Sequence, residues 1–375
     1  MTIRWNRTVG PLACVLATAS GGATASRPAA AQPEPSPAPE PPADHVTLHG
    51  DVFARYGQDR MGDQKRYEFD LPRARLVADV VLDDHFGGRI MVETVPSSQR
   101  GSLYGVDGDS YVLRAREAFA EAKTGNLGGG FALSGRMGIV PTLAIGPLDA
   151  MWGHRVLTPV GLEKWNLSAP ADFGATTAVL LPKQMGDLTV GVFQGEGYHQ
   201  REQNDGKNVG ARLLAHPLAP WMPPKPGEAG LTVLVAGEKG TLGPARATND
   251  RWTAAVAYEH RYASAGADVS LARGVRGLPS QHARVMAGWL RVGPFWGADI
   301  VARYELVDPD SDTAGARDQV QSWRAGAGWH GSFEDTARAF DVHLTYGRDS
   351  GGELAEAAEP LLPVRGVHLD VGLAF

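Results

Sequence analysis

The chain has 375 residues, a net charge of -6, 43% hydrophobic and 21% charged residues, and a mean hydropathy of -0.21. That composition excludes a disordered chain, and the mild acidity excludes nucleic acid as the main partner. No run approaches the roughly 18 uninterrupted apolar residues of a spanning helix, which leaves spanning strands open because their signal per segment is weak.

The first residues read as an export signal. Arg4 and Arg7 supply a positive start, "PLACVLATA" from Pro11 is a short apolar stretch, and small-residue cleavage sites follow after Ala25 and after Ala31. Residues 1–31 are therefore expected to be a signal peptide, with both cleavage sites open. The single cysteine, Cys14, lies inside it, and Pro11 stands where a lipoprotein anchor wants Leu, so a mature chain would have no thiol and no disulfide. Residues 32–44, "QPEPSPAPEPPAD", form an extended Pro-rich spacer.

From His45 onward apolar residues recur at every second position. "HVTLHGDVFARYG" sets Val46, Leu48, Val52, Ala54 and Tyr56 against Thr47, His49, Asp51 and Arg55. "WGADIVARYEL" sets Trp296, Ile300, Tyr304 and Leu306 against Asp299, Arg303 and Glu305, and "FDVHLTY" sets Phe340, Val342, Leu344 and Tyr346 against Asp341, His343 and Thr345. This period marks strands with one apolar face. Sixteen segments are predicted, at 45–57, 67–82, 86–95, 111–123, 131–141, 175–182, 188–195, 207–216, 230–237, 251–261, 265–272, 282–291, 295–306, 319–330, 338–346 and 364–375.

A soluble sandwich also alternates, so two further features decide. Aromatics sit near the ends of the apolar rows, as in Trp252 with Tyr258 and Trp296 with Tyr304. A spacing of six to eight residues in a tilted strand separates such a pair by roughly 15–20 Å along the membrane normal, which suits two interfacial girdles. Connections also alternate, with longer ones after odd strands and short ones such as "DDH", "PKQMG" and "VGPF" after even strands. The exception is "PLAPWMPPKPGEA" from Pro217, long where a turn is expected. The expected fold is an all-β transmembrane antiparallel barrel of about sixteen strands over 45–375. The last segment alternates through Val367, Leu369, Val371 and Leu373 to Phe375. It must close the barrel, and its terminal aromatic is expected to be the signal that barrel-assembly machinery reads.

Several stretches together resemble the phosphate-selective porin O and P family of outer-membrane channels. They are "RARLVADVVLDDHFGGRIMVE" from Arg73, "REAFAEA" from Arg116, "GRMGIVP" from Gly135, "FQGEGYHQREQNDGKNVGARLLAHP" from Phe193 and "ARYELVDPDSD" from Ala302. Gln194 stands where the family pattern has Asn, and the Pro-rich spacer replaces the coiled coil of some relatives. The resemblance implies a sixteen-stranded barrel, usually a homotrimer, with its third outer loop folded into the pore. The third outer connection, 142–174, is the longest and fits that constriction loop.

Sixteen strands leave a channel rather than a filled core, so inward positions are expected to be polar. Strand parity assigns Arg75, Arg89, Arg136, Arg212, Arg303 and Arg324 to the lumen, with Glu305 and Asp299 among the facing carboxylates. These arginines form either a basic ladder that attracts anions or cross-strand ion pairs that stiffen the wall. In 142–174, His154, Arg155, Glu163 and Lys164 offer both signs for a transverse field, while Met151, Trp152, Leu157 and Trp165 offer packing onto the wall. His199 and His330 are isolated in sequence and have no neighbours at metal-ligand spacing. No nucleophile elbow, phosphate loop or zinc-helix motif is present, and "GNLGGG" at Gly125 reads as a turn.

The expectation is an outer-membrane porin of a Gram-negative bacterium, passing small hydrophilic solutes passively, with anions such as phosphate as the cargo the resemblance implies. Outer-membrane lipid is its environment, and no cofactor, metal or chemical step is expected. The alternatives are a plugged structural or adhesin-type barrel and, behind it, a barrel enzyme acting on lipid.

Overall fold

The computed structural model describes residues 45–61, 63–97, 110–198, 200–221, 230–275, 278–312, 319–332, 339–351 and 364–375. The expected signal peptide and spacer, and His199, lie outside the described residues.

The strands are β1 (His45–Met61), β2 (Gln64–Val81), β3 (Phe86–Ser97), β4 (Ser110–Lys123), β5 (Ala132–Pro141), β6 (Ala171–Leu180), β7 (Gly186–Phe193), β8 (Asn208–Ala215), β9 (Gly230–Lys239), β10 (Thr241–Leu242), β11 (Ala247–Thr248), β12 (Asp250–His260), β13 (Ala263–Val275), β14 (Leu278–Phe295), β15 (Ala298–Asp308), β16 (Val320–Ser332), β17 (Ala339–Gly351) and β18 (Val364–Ala374). All but β10 and β11 pair antiparallel, neighbour to neighbour, into one closed sixteen-stranded barrel. β10 and β11 make a small separate ladder in the connection after β9, too short for any alternation to announce.

Closure is achieved by the last strand. β18 pairs with β1 from Asp51 opposite Ala374 to Met61 opposite Val364. Beyond that register, Gly50 and Phe375 exchange backbone hydrogen bonds of 2.8 and 3.0 Å. An unpaired edge in hydrocarbon would leave backbone donors and acceptors unsatisfied, so this ladder is required for a barrel that spans lipid.

The alternation sorts side chains to the two faces as the sequence predicts. Along β18, Leu369 is 42% exposed and its neighbour Asp370 1%, and along β15 exposed Ile300, Ala302 and Tyr304 alternate with buried Asp299, Val301 and Arg303. The exposed row is apolar, which suits lipid and would be a liability in water. Trp252, Tyr258, Tyr304 and Phe375 lie on it, whereas Trp296, read from the sequence as part of a strand, is exposed in the turn between β14 and β15.

Two strand pairs run further than the sequence reading. Residues 58–66 and 273–281 read as loops because apolar alternation stops at Gly57 and Ala272. In the structure β1 runs on to Met61 against β2, with Asp59 opposite Arg66, and β13 and β14 run on until Val275 faces Leu278. At the β1–β2 end exposed Gln58, Arg60, Lys65 and Arg66 carry the hydrogen-bonded ladder without an apolar row. At the β13–β14 end a register shift between Arg273 and Val275 breaks the alternation while buried Val275 joins the apolar cluster.

Among the described residues, both α-helices lie in one connection, between β5 and β6: α1 (Ile145–Trp152) and α2 (Gly161–Lys164).

Candidate functional site

The connection between β5 and β6 lies against the inner wall. Its Leu143, Ile145, Leu148, Trp152, Val156, Leu157, Val160, Leu162 and Leu167 join one apolar cluster with inward residues of β9 and β12 to β15, including Leu234, Ala255, Val285, Trp289 and Val301. Met151 and Trp165 pack at its margin. The expectation that inward positions are polar fails on this arc: those strands carry apolar residues on both faces because the folded-in segment, and not water, covers the inner one. Each fully buried large apolar side chain contributes about 1.5–3 kcal/mol. Ile145, Leu148, Trp152 and Leu162 alone therefore outweigh any surface ion pair in fixing the segment.

Polar contacts then tie the segment to the rest of the circumference. Arg55 on β1 donates to the carbonyls of Val156 (3.2 Å) and Leu157 (2.9 Å), and Arg251 on β12 donates to the Leu167 carbonyl. Lys164 donates to Glu305 on β15 (3.2 Å) and to Ser322 on β16 (2.6 Å), and lies 3.5 Å from Asp349 on β17. Trp165 Nε1 donates to Glu305 at 3.2 Å. Arg116 on β4 approaches Glu163 at 3.6 Å and donates to Glu93 at 2.8 Å. The connection after β7 also reaches inward, with the Tyr198 hydroxyl donating to Glu93 at 2.7 Å.

Arg155 pairs with both Asp149 and Glu163. Burial and the neighbouring Glu163 carboxylate push Asp149 up to about 7, against the pull of Arg116. Burial also raises Glu163, but Arg155 and Arg116 outweigh it and hold that carboxyl below the usual range.

Each arginine assigned to the lumen has a polar partner. Arg75 donates to Asp51 (2.9 Å), Arg89 to Asp79 (2.7 Å), Arg136 to Glu121 (2.8 Å) and Arg212 to Asp187 (2.5 Å). Arg324 donates to His368 Nδ1 (3.3 Å) and lines a crevice of about 140 Å³ with Arg55, Asp59, Glu68, Asp349 and His368. Arg303 is not at a water-filled surface at all. Its side chain is 1% exposed, it donates to Glu305 at 2.8 Å, and its guanidinium sits 5.0 and 5.4 Å from the ring centres of Trp152 and Trp289. It joins segment to wall by cation–π contact on both sides.

Strand parity thus places the arginines on the inner face, while their pairing follows from register, which a single sequence does not display. Arg73, Arg116, Asp149 and Trp289 were missed. Trp289 falls on the inward parity of a strand otherwise read for its outward row, and Asp149 lies in a helix without periodic contrast.

His154, beyond α1, faces His330 on β16 and His343 on β17, with ring centres 6.0 and 5.8 Å away. Asp299 on β15 accepts from His330 Nε2 at 2.8 Å. Four groups scattered from residue 154 to residue 343 meet here, which linear spacing around His330 hides.

No family model and no curated protein matches the chain. Among solved structures, it is similar to the anion-selective porin from Comamonas acidovorans at 12% identity and a TM-score of 0.56, over 88% of this chain and 100% of that one. It is similar to OmpF of Salmonella typhi, solved with daunomycin, at 12% identity and a TM-score of 0.60, over 88% and 98%. OmpT, an outer-membrane protein of Vibrio cholerae, gives 11% identity and a TM-score of 0.54 over 89% and 98%. The similarity is one of architecture: the chain has the closed β-barrel fold of outer-membrane porins.

Proposed function

We propose that the chain is an outer-membrane channel through which small hydrophilic solutes diffuse passively, narrowed by the inward-folded segment 142–174. The observation that carries this reading is the inward-folded segment. A sixteen-stranded barrel leaves an aqueous lumen, and a long connection packed within it, bearing Arg155, Glu163 and Lys164 among wall charges of both signs, sets the width and field of the path. The lipid-facing apolar row and the expected export signal support a setting in the outer membrane of a Gram-negative bacterium, with Phe375 serving barrel assembly and a homotrimer as the expected state.

The pairing of the lumenal arginines argues for weak ion selectivity. A phosphate-binding ladder needs guanidinium groups whose charge remains available to an oxyanion, and Arg75, Arg89, Arg136 and Arg212 are each already paired with a carboxylate. Phosphate preference, which the resemblance implies, is therefore the weaker form of the proposal.

A second reading is a plugged barrel with a structural role. It is favoured by the segment's ties to β1, β4, β12, β15, β16 and β17, which leave Glu93, Arg116, Glu305 and Asp370 buried. Swelling of proteoliposomes in neutral sugars of increasing size separates the two. Diffusion of small sugars with a sharp size cut-off supports the channel, and no swelling with any solute supports the plug.

A further inference from the structure

We infer that His154, Asp299, His330 and His343 form a binding site for a zinc-class divalent cation, clamping the inward segment to the barrel wall. Their nearest ligand atoms all lie within 4.8 Å of one another. His330 and His343 rings stand 4.9 Å apart, and His343 Nε2 lies 3.8 Å from Asp299 Oδ1. A cation between these groups needs only short side-chain movements to gain three nitrogens and one oxygen, the donor set and number that suit tetrahedral Zn²⁺.

Three observations separate this grouping from ordinary buried histidines. His343 and Asp299 side chains are both 0% exposed, yet both ring nitrogens of His343 and Asp299 Oδ1 have no hydrogen-bond partner. Buried polar atoms are almost always paired, so these point at something they would bind. Next, Asp299 and His343 sit on strands two apart, and Gly328 on the strand between them is the residue opposite both. A Cβ at Gly328 would lie 2.2 Å from His343 Nε2 and 2.7 Å from Asp299 Oδ1, so glycine there opens the space in which the two meet. Last, His330 Nδ1 lies 2.5 Å from Asp341, the outer-shell carboxylate contact by which proteins orient metal-binding imidazoles, and Nε2, 2.8 Å from Asp299 Oδ2, would exchange that contact for the ion.

Imidazole-rich sites take borderline transition-metal ions and discriminate against Mg²⁺ and Ca²⁺, which require oxygen ligands. Four protein ligands with little exposure describe a closed site, so the ion's role is structural or regulatory. One ligand, His154, belongs to the segment and three to the wall, so occupancy would fix the segment in place.

The test is made on EDTA-stripped, detergent-solubilised full-length protein, and it does not depend on whether the barrel conducts. ZnCl₂ is titrated calorimetrically and bound zinc is counted after desalting. One zinc per chain is expected, undiminished by excess Mg²⁺ or Ca²⁺, with slower proteolysis of the segment around residues 142–170. His343→Ala and His154→Ala should each abolish stoichiometric retention, Asp341→Asn should weaken affinity by about 10- to 100-fold, and His85→Ala, at the β2–β3 turn, should change nothing. Heat-modifiable migration verifies folding, and His154→Ala leaves every strand intact. No zinc retained by the wild type, or retention unchanged in His154→Ala, would overturn the inference.

Discussion

At the scale of single residues, charges in this lumen are held by other charges, and that decides what a substitution does. Arg303 is the clearest case, enclosed by Trp152 and Trp289 and shared between Glu305 and, at 3.6 Å, Asp268. Replacing it by Met strands Asp268 in a nearly waterless site and leaves Glu305 to Lys164 and Trp165, a loss of about 3–5 kcal/mol by analogy with broken buried pairs. The expected outcome is faster proteolysis of the inward segment in the folded barrel, and a cleavage rate equal to wild type would refute the contact's importance. Asp149 supplies a pH handle. Its pKa, raised to about 7, keeps the carboxyl largely protonated below neutrality, so a negative charge appears in the segment as pH rises through that value. The reversal potential in a KCl gradient should move toward cations between pH 6 and 8, and Asp149→Asn should abolish the movement. Because the folded pKa lies above the unfolded one, any stability this group contributes is present at low pH and lost as pH rises through about 7.

At the scale of elements, what packs the inward segment is the fit of its two short helices to the wall. Gly161, opening α2, lies so close to Val285 that a Cβ there would come within 2.5 Å of Val285 Cγ1. Gly161→Ala must displace the helix or the strand, at about 1–3 kcal/mol. The prediction is noisier single-channel current with unchanged barrel yield, and variant traces as quiet as those of the wild type would contradict it. The strands themselves were legible in the sequence because one face meets lipid along its whole length: Leu369, Leu344 and Ile300 had to be apolar whatever the register. The hairpin extension from Gly57 to Met61 was not legible, because exposed Gln58 and Arg60 carry the ladder on without an apolar row. Nor was the apolar inner face of β12 to β15, since an interior covered by another part of the chain follows tertiary contact, not strand period. The His154, Asp299, His330 and His343 grouping escaped for the same reason: it is assembled by register across three strands and one connection.

At the scale of the whole molecule, the account joins a closed barrel, a lipid-facing apolar surface and an inward segment into a channel. The apolar surface carries its own prediction. A charge placed on it near mid-strand, as in Leu369→Arg, should cost about 2–4 kcal/mol if acyl chains lie outside, lowering the denaturant midpoint in lipid vesicles while leaving it nearly unchanged in a small-micelle detergent. An equal, negligible effect in both would argue against a bilayer setting. The central claim is that ions cross the barrel through the space beside residues 142–174. Planar-bilayer recording of the purified wild-type protein in KCl tests it directly. The account predicts stepwise, weakly selective currents whose size changes little when phosphate is added; a silent membrane containing demonstrably folded barrel would contradict it and leave the plugged scaffold in its place.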